Sequence, residues 1–200
     1  MNRLSPRTAR LLLMAAAFAA GLASVLAVVM IVTAVRTPSV TASAIGGPFS
    51  LVDQNGRTIT DADLKGHPFL VFFGFTHCPD VCPTTLFEVS EVLRQLGPEG
   101  EEARALFVTV DPERDTPAVL KDYLSSFDPR LIGVTGSREA IEQMLKTYRV
   151  YARKVPRENG DYTMDHTAIV YLMDKQGRFV APFNLKRPPA EAAADLRRYL

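Results

Sequence analysis

An α/β domain, built on a mixed β-sheet with helices on both faces and preceded by one membrane-spanning helix, is the fold class this sequence predicts. Three observations carry that prediction. Residues 11–35 form an uninterrupted apolar run without a charge. Short continuous apolar runs, above all FLVFFGF at 69–75, have the character of strands buried on both faces. Between them lie segments of helical period, and the chain closes on a hairpin and a last helix.

The apolar run comes first. At ~1.5 Å per residue, 25 residues exceed a hydrocarbon core of ~30 Å. It has no polar stripe, as a helix half-buried in a small domain would. Arg3, Arg7 and Arg10 precede it, only Arg36 follows closely, and the next charge is Asp53. This bias predicts a cytoplasmic tail (1–10), a transmembrane anchor (11–35) and an exported remainder. A cleaved signal is the competing reading, because Ala42-Ser43-Ala44 resembles a cleavage site. The run is nevertheless longer than the 7–15 residue core of such signals. The expected location is the inner (cell) membrane, single-pass, with the C-terminal domain in the periplasm; a mitochondrial inner-membrane protein could carry a similar anchor.

Pro, Ser, Thr, Ala and Gly dominate the linker (36–46), and the domain follows (47–200). Phe49 to Val52 is a strand entering an Asn55-Gly56 turn, and 69–75 is the central strand. Pro83 to Leu96 has helical spacing, with Leu86, Val89, Leu93 and Leu96 on one side and Gly97-Pro98 as its stop. Ala105 to Val110 is a second central strand. Thr116-Pro117 opens a helix carrying Leu120, Tyr123, Leu124 and Phe127. Leu131 to Val134 is a third strand, and Ser137 caps a helix with Ile141, Met144, Leu145 and Tyr148 inward. Thr167 to Met173 and Arg178 to Phe183 form a hairpin about Asp174–Gly177. An amphipathic helix runs from Pro189 towards Leu200. This order suggests a thioredoxin-like fold.

A formal net charge of +1, from 23 basic and 22 acidic residues, gives no electrostatic case for nucleic acid. The two cysteines, Cys78 and Cys82, cannot form a multi-bridge scaffold. They fall in Thr76-His77-Cys78-Pro79-Asp80-Val81-Cys82-Pro83, where a buried strand ends and a helix begins. A helix N-terminus favours thiolate, the form that attacks disulfides and binds metals, and the i, i+4 spacing puts both sulfurs on one side of a turn. A structural disulfide here closes only a five-residue loop and stabilises little. The live alternatives are thiol redox chemistry, which in this fold usually spaces its cysteines by two residues rather than three, and a metal. Structural zinc wants four protein ligands, whereas two thiolates with one imidazole suit copper. Of three histidines, His67 lies in a solvated turn, and His77 adjoins Cys78 with its side chain expected to diverge from the sulfurs. His166 stands at the mouth of a hairpin strand, within reach of the cysteine loop; taken alone, a loop histidine carries no assignment.

Three motifs in order, 76–83, Val110-Asp111-Pro112-Glu113-Arg114-Asp115-Thr116-Pro117 and Asp165-His166-Thr167, resemble the Sco (SenC) family across about residues 47–198. The resemblance implies a copper chaperone for the Cu(A) centre of cytochrome c oxidase, with Cys78, Cys82 and His166 as ligands. One copper ion per monomer is expected, cuprous and, with imidazole, cupric. The implied partners are the Cu(A)-bearing oxidase subunit and a periplasmic copper donor. The role is that of a carrier and not an enzyme; its rival is a thiol–disulfide reductase that keeps the acceptor's cysteines reduced. Asp115 is expected to cap the helix at 116. Asp111 or Asp115 is also placed to orient a ligand or partner.

Overall fold

The computed structural model describes residues 6–35, 45–158 and 160–200. It divides into two compact units, Met1–Ser43 and Ala44–Leu200. In the first, helix α1 (Pro6–Val35) contains the apolar window Leu13–Met30, long and apolar enough to cross a membrane. Its exposed side chains include Leu13, Phe18 and Met30. Ser24 settles its hydroxyl on the Ala20 carbonyl at 2.9 Å, so the helix offers an apolar surroundings no unpaired group there. A signal sequence near the N-terminus can meet the same threshold of length and hydropathy. Residues 36–44 of the expected linker lie outside the described residues, whereas Ile45 packs on the core of the second unit and Gly46 N donates to Thr147 O at 3.1 Å.

The second unit is a seven-stranded sheet in the order β2-β1-β5-β4-β3-β8-β9. Its strands are β1 (Ser50–Asp53), β2 (Thr58–Thr60), β3 (Phe69–Gly74), β4 (Arg104–Thr109), β5 (Leu131–Thr135), β8 (Val170–Met173) and β9 (Phe179–Pro182). β3, β4 and β5 are parallel, as their helical crossovers require, and the outer strands are antiparallel. Every residue of β3 is buried, so neither face of the sheet centre is open to water. The helices are α2 (Val81–Leu96), α3 (Pro117–Leu124), α4 (Arg138–Thr147) and α5 (Pro189–Arg197). α2 turns Leu86, Val89, Leu93 and Leu96 into the core, and α5 packs beside it through Ala192, Ala193 and Leu196. Thr116 caps α3 by accepting from Val119 N, and Ser137 caps α4 by accepting from Ala140 N.

Three local departures from the sequence expectation matter for the site. β3 ends at Gly74, so buried Phe75 belongs to the loop. α2 starts at Val81, which puts Cys82 inside its first turn. Finally, β6 (Ala152–Pro156) and β7 (Tyr162–His166) form a separate two-stranded hairpin. The sequence predicts no element for that stretch. Its strands mix exposed and half-buried positions without regular alternation and with no fully buried one, so they lack the apolar signature on which strand prediction rests. His166 is therefore the last residue of a strand and not part of a loop.

Candidate metal centre

Strand register brings the two ends of the site together. β8 runs antiparallel to β3 with Val170 opposite Phe72. The chain just before Val170 therefore crosses the carboxyl end of β3, where the cysteine loop emerges. That is where an α/β sheet exposes its ligand crevice.

The loop turns at once, with Cys78 N donating to Phe75 O at 3.2 Å. Asp80 occupies the N-cap position of α2 but makes no side-chain capping bond. The free amide of Cys82 points instead at Cys78 Sγ, 3.4 Å away. A sulfur thus takes the acceptor role that Ser or Asp oxygen usually fills at a helix start. Cys82 is completely buried and both thiols are free. Burial pushes the Cys82 thiol well up, the Phe75 amide pulls it down, and the adjacent Cys78 thiol and Asp115 push it up again. For Cys82 the expected thiolate-favouring effect of the helix end is therefore overturned by desolvation, which penalises the charged form. Gly74 is required beside it: a Cβ there would stand 2.6 Å from the Phe107 ring and 2.9 Å from Cys82 Sγ.

His166 faces this sulfur. Its Nε2 lies 3.8 Å from Cys82 Sγ, and its Nδ1 lies 3.1 Å from the Thr167 carbonyl oxygen. A carbonyl has no proton to give, so that bond puts the proton on Nδ1 and turns the Nε2 lone pair towards sulfur. The ring stands edge-on to Phe75 at 5.8 Å and to Phe72 at 6.5 Å between centroids. Burial lowers its pKa, against the opposing pull of Thr167 and Asp165, which favours the neutral, ligating form. The two donors would be among the residues to hold a soft ion, which would replace the thiol proton between them. Among the described residues, no group of three or more His, Cys, Asp and Glu side chains is already gathered closely enough to hold a metal ion. Cys82 and His166 are the pair in contact, with Cys78 joined to them through Cys82.

The other histidines stand apart. His77 is exposed, its Nδ1 3.1 Å from Thr76 Oγ1, and His67 pairs with Glu102 at 3.1 Å. Asp115 is not the cap of α3, a role Thr116 fills. It is fully buried and accepts from Thr76 N at 3.1 Å, Thr76 Oγ1 at 2.6 Å and Thr109 Oγ1 at 2.6 Å. Burial raises its carboxyl pKa against those three bonds. Tyr123, which sequence analysis treated as core, carries a buried hydroxyl without a hydrogen-bond partner. Burial raises its pKa, with Cys82, Cys78 and Asp115 adding to the effect. Thr76 was legible only as the first residue of the cysteine motif, and Thr109 gave no sequence signal beyond its place in the second central strand.

A thioredoxin-like sheet with two free thiols at a helix start and a neutral imidazole against one of them defines a soft-metal or dithiol site. The family comparison narrows this class: residues 37–200 match the SCO1/SenC family model, and the chain belongs to that family. A copper-bound structure of ScoI from Bradyrhizobium japonicum is 66% identical, covers 78% of this chain and 100% of that one, and superposes with a TM-score of 0.77. Copper-bound yeast Sco1 is 37% identical over 78% of this chain and 88% of its own, with a TM-score of 0.71. The mitochondrial SCO2 homolog of Bos taurus is 42% identical over 169 residues, 82% of this chain. The chain spans 64% of that relative, under two thirds of its length.

Proposed function

We propose that this protein is a membrane-anchored carrier that binds one copper ion per monomer through Cys78, Cys82 and His166. It delivers the ion to the Cu(A) subunit of cytochrome c oxidase during assembly. The observation that carries the reading is the Nε2 lone pair of His166 aimed at Cys82 Sγ from 3.8 Å. A simple dithiol exchange does not need an imidazole at the sulfur, whereas burial keeps this one in the neutral form that a soft-metal site uses. Copper is the cargo, and its capture displaces the Cys82 proton that burial otherwise retains. Two thiolates hold cuprous ion, and the imidazole extends the site to cupric ion, which prefers more ligands. Anchorage by α1, with the head in the periplasm facing a copper donor and the oxidase, follows from the arginine bias around the apolar run. The role is carriage and not turnover.

The free dithiol favours one second reading, a reductase that passes two electrons and two protons to an acceptor disulfide and is left with a Cys78–Cys82 disulfide. His166→Ala separates the two. On the carrier reading the variant keeps weakened cuprous binding, loses the intense sulfur-to-copper absorption of the cupric form, and lowers assembled oxidase when copper is scarce. Normal oxidase at low copper, with unchanged disulfide reduction by the purified protein, would establish the reductase instead.

A further inference from the structure

The cysteine half of the site follows β3 of the main sheet, the histidine half ends the separate hairpin, and one short segment touches both. On one side, buried Asp115 accepts both the amide and the hydroxyl of Thr76, two residues before Cys78. On the other, the same segment grips Tyr162 at the start of the strand that ends in His166. Tyr162 Oη donates to Asp111 Oδ1 at 2.9 Å. The Arg114 guanidinium lies 3.8 Å from the centre of the Tyr162 ring, and Arg114 Nη1 donates to Tyr162 O at 3.1 Å. Arg114 Nε is anchored in turn by Asp111 Oδ2 at 2.5 Å. Lys154, on the other hairpin strand, stands 4.6 Å from the same ring and pairs with Glu113.

We infer that residues 111–115 act as a strap that fixes His166 relative to the cysteines, with Arg114 and Tyr162 positioning the imidazole and Asp115 positioning the cysteine loop. The physical need is plain. The hairpin shares no ladder with the main sheet, and an isolated two-stranded hairpin is marginal in water. Side-chain contacts therefore hold β7: Met164 packs on the core and the strap grips Tyr162 at the strand's start. Asp111 is buried and Arg114 is largely but not fully withdrawn from solvent, so the contact between them is screened less than a surface pair. Neither Arg114 nor Tyr162 touches a proposed ligand; each acts through the strand.

This inference rests on the copper reading, and the test keeps their failures apart. Full-length protein in detergent is compared as wild type, Arg114→Gln, Tyr162→Phe, Asp115→Asn and each combined with His166→Ala. The readouts are cupric absorption, cuprous affinity by chelator competition, and, without copper, the nuclear Overhauser contact between the His166 and Phe75 rings. Arg114→Gln is expected to weaken cupric binding about tenfold, as loss of an outer orienting partner does, and to erase the ring contact. Tyr162→Phe, which keeps the ring and removes one hydroxyl, gives a smaller change of the same kind. Both changes should also weaken cuprous binding in the His166-containing protein but leave the residual cuprous affinity of the His166→Ala background unchanged, because they act through the residue already removed. Asp115→Asn should still weaken cuprous binding there. Equal losses in both backgrounds, or an intact ring contact in Arg114→Gln, would overturn the strap. Failure of the wild type to bind copper would defeat the copper reading alone, since the ring contact is measured without metal.

Discussion

The smallest unit of this site is a sulfur standing where an oxygen usually stands. Cys78 Sγ receives the Cys82 amide while the N-cap residue Asp80 leaves it free, so Cys78 serves the fold before any metal arrives. Removing an N-cap acceptor costs about 1 kcal/mol. Cys78→Ala is therefore expected to lower apo-protein stability by about that amount, while Cys78→Ser, whose hydroxyl can accept the same amide, should recover most of it. Denaturant unfolding of the two metal-free variants checks this, and equal stability would remove the capping role. The same residue scale explains Gly74: no side chain fits between Phe107 and the Cys82 sulfur.

Among the elements, the β6–β7 hairpin differs from the rest. β3 and β4 lie inside a seven-stranded ladder and are almost wholly buried, whereas the hairpin is half-exposed and pairs only with itself. Elements with few buried contacts open well below the global unfolding free energy. Amide exchange in 152–156 and 162–166 is therefore expected to be faster than in 69–74 and 104–109 in the metal-free protein. Copper bound to His166 should slow hairpin exchange selectively, by up to about 100-fold when free copper is 100 times Kd. Hydrogen-exchange mass spectrometry with and without cuprous ion measures this; protection that rose equally in every strand would contradict it.

For the whole molecule, the question is where the head works. A chain that carries Arg3, Arg7 and Arg10 before an apolar helix and a single arginine closely after it is expected to keep its N-terminus in the cytoplasm. A reporter active only in the periplasm should be active when fused after Thr41 and silent when fused before Leu11. Adding lysines between Thr37 and Ser43 should impair that orientation. Release of a head beginning after Ala44 into the soluble fraction would show a cleaved signal in place of an anchor.

Periodicity determined most of the sheet and the four α-helices of the head, because buried strands and amphipathic helices write their environment into residue order. Local hydrogen-bond chemistry likewise marked the cap at Ser137, which accepts from Ala140 N. The family's three motifs marked Cys78, Cys82 and His166, and the fold brings the last two into contact. What only the tertiary structure decided lies where polar residues do the work. The hairpin of β6 and β7 has no apolar period to betray it, and it exists through pins such as Tyr162 on Asp111. Asp115 looked like a helix cap, since Asp before Thr-Pro has ordinary capping chemistry, but it is spent 39 residues back along the chain on Thr76. The Cys82 thiol was expected to ionise readily at a helix end, and burial reverses that. Spacing reports what a residue's neighbours in sequence can do; desolvation and long-range hydrogen bonds depend on neighbours in space, which the fold alone supplies.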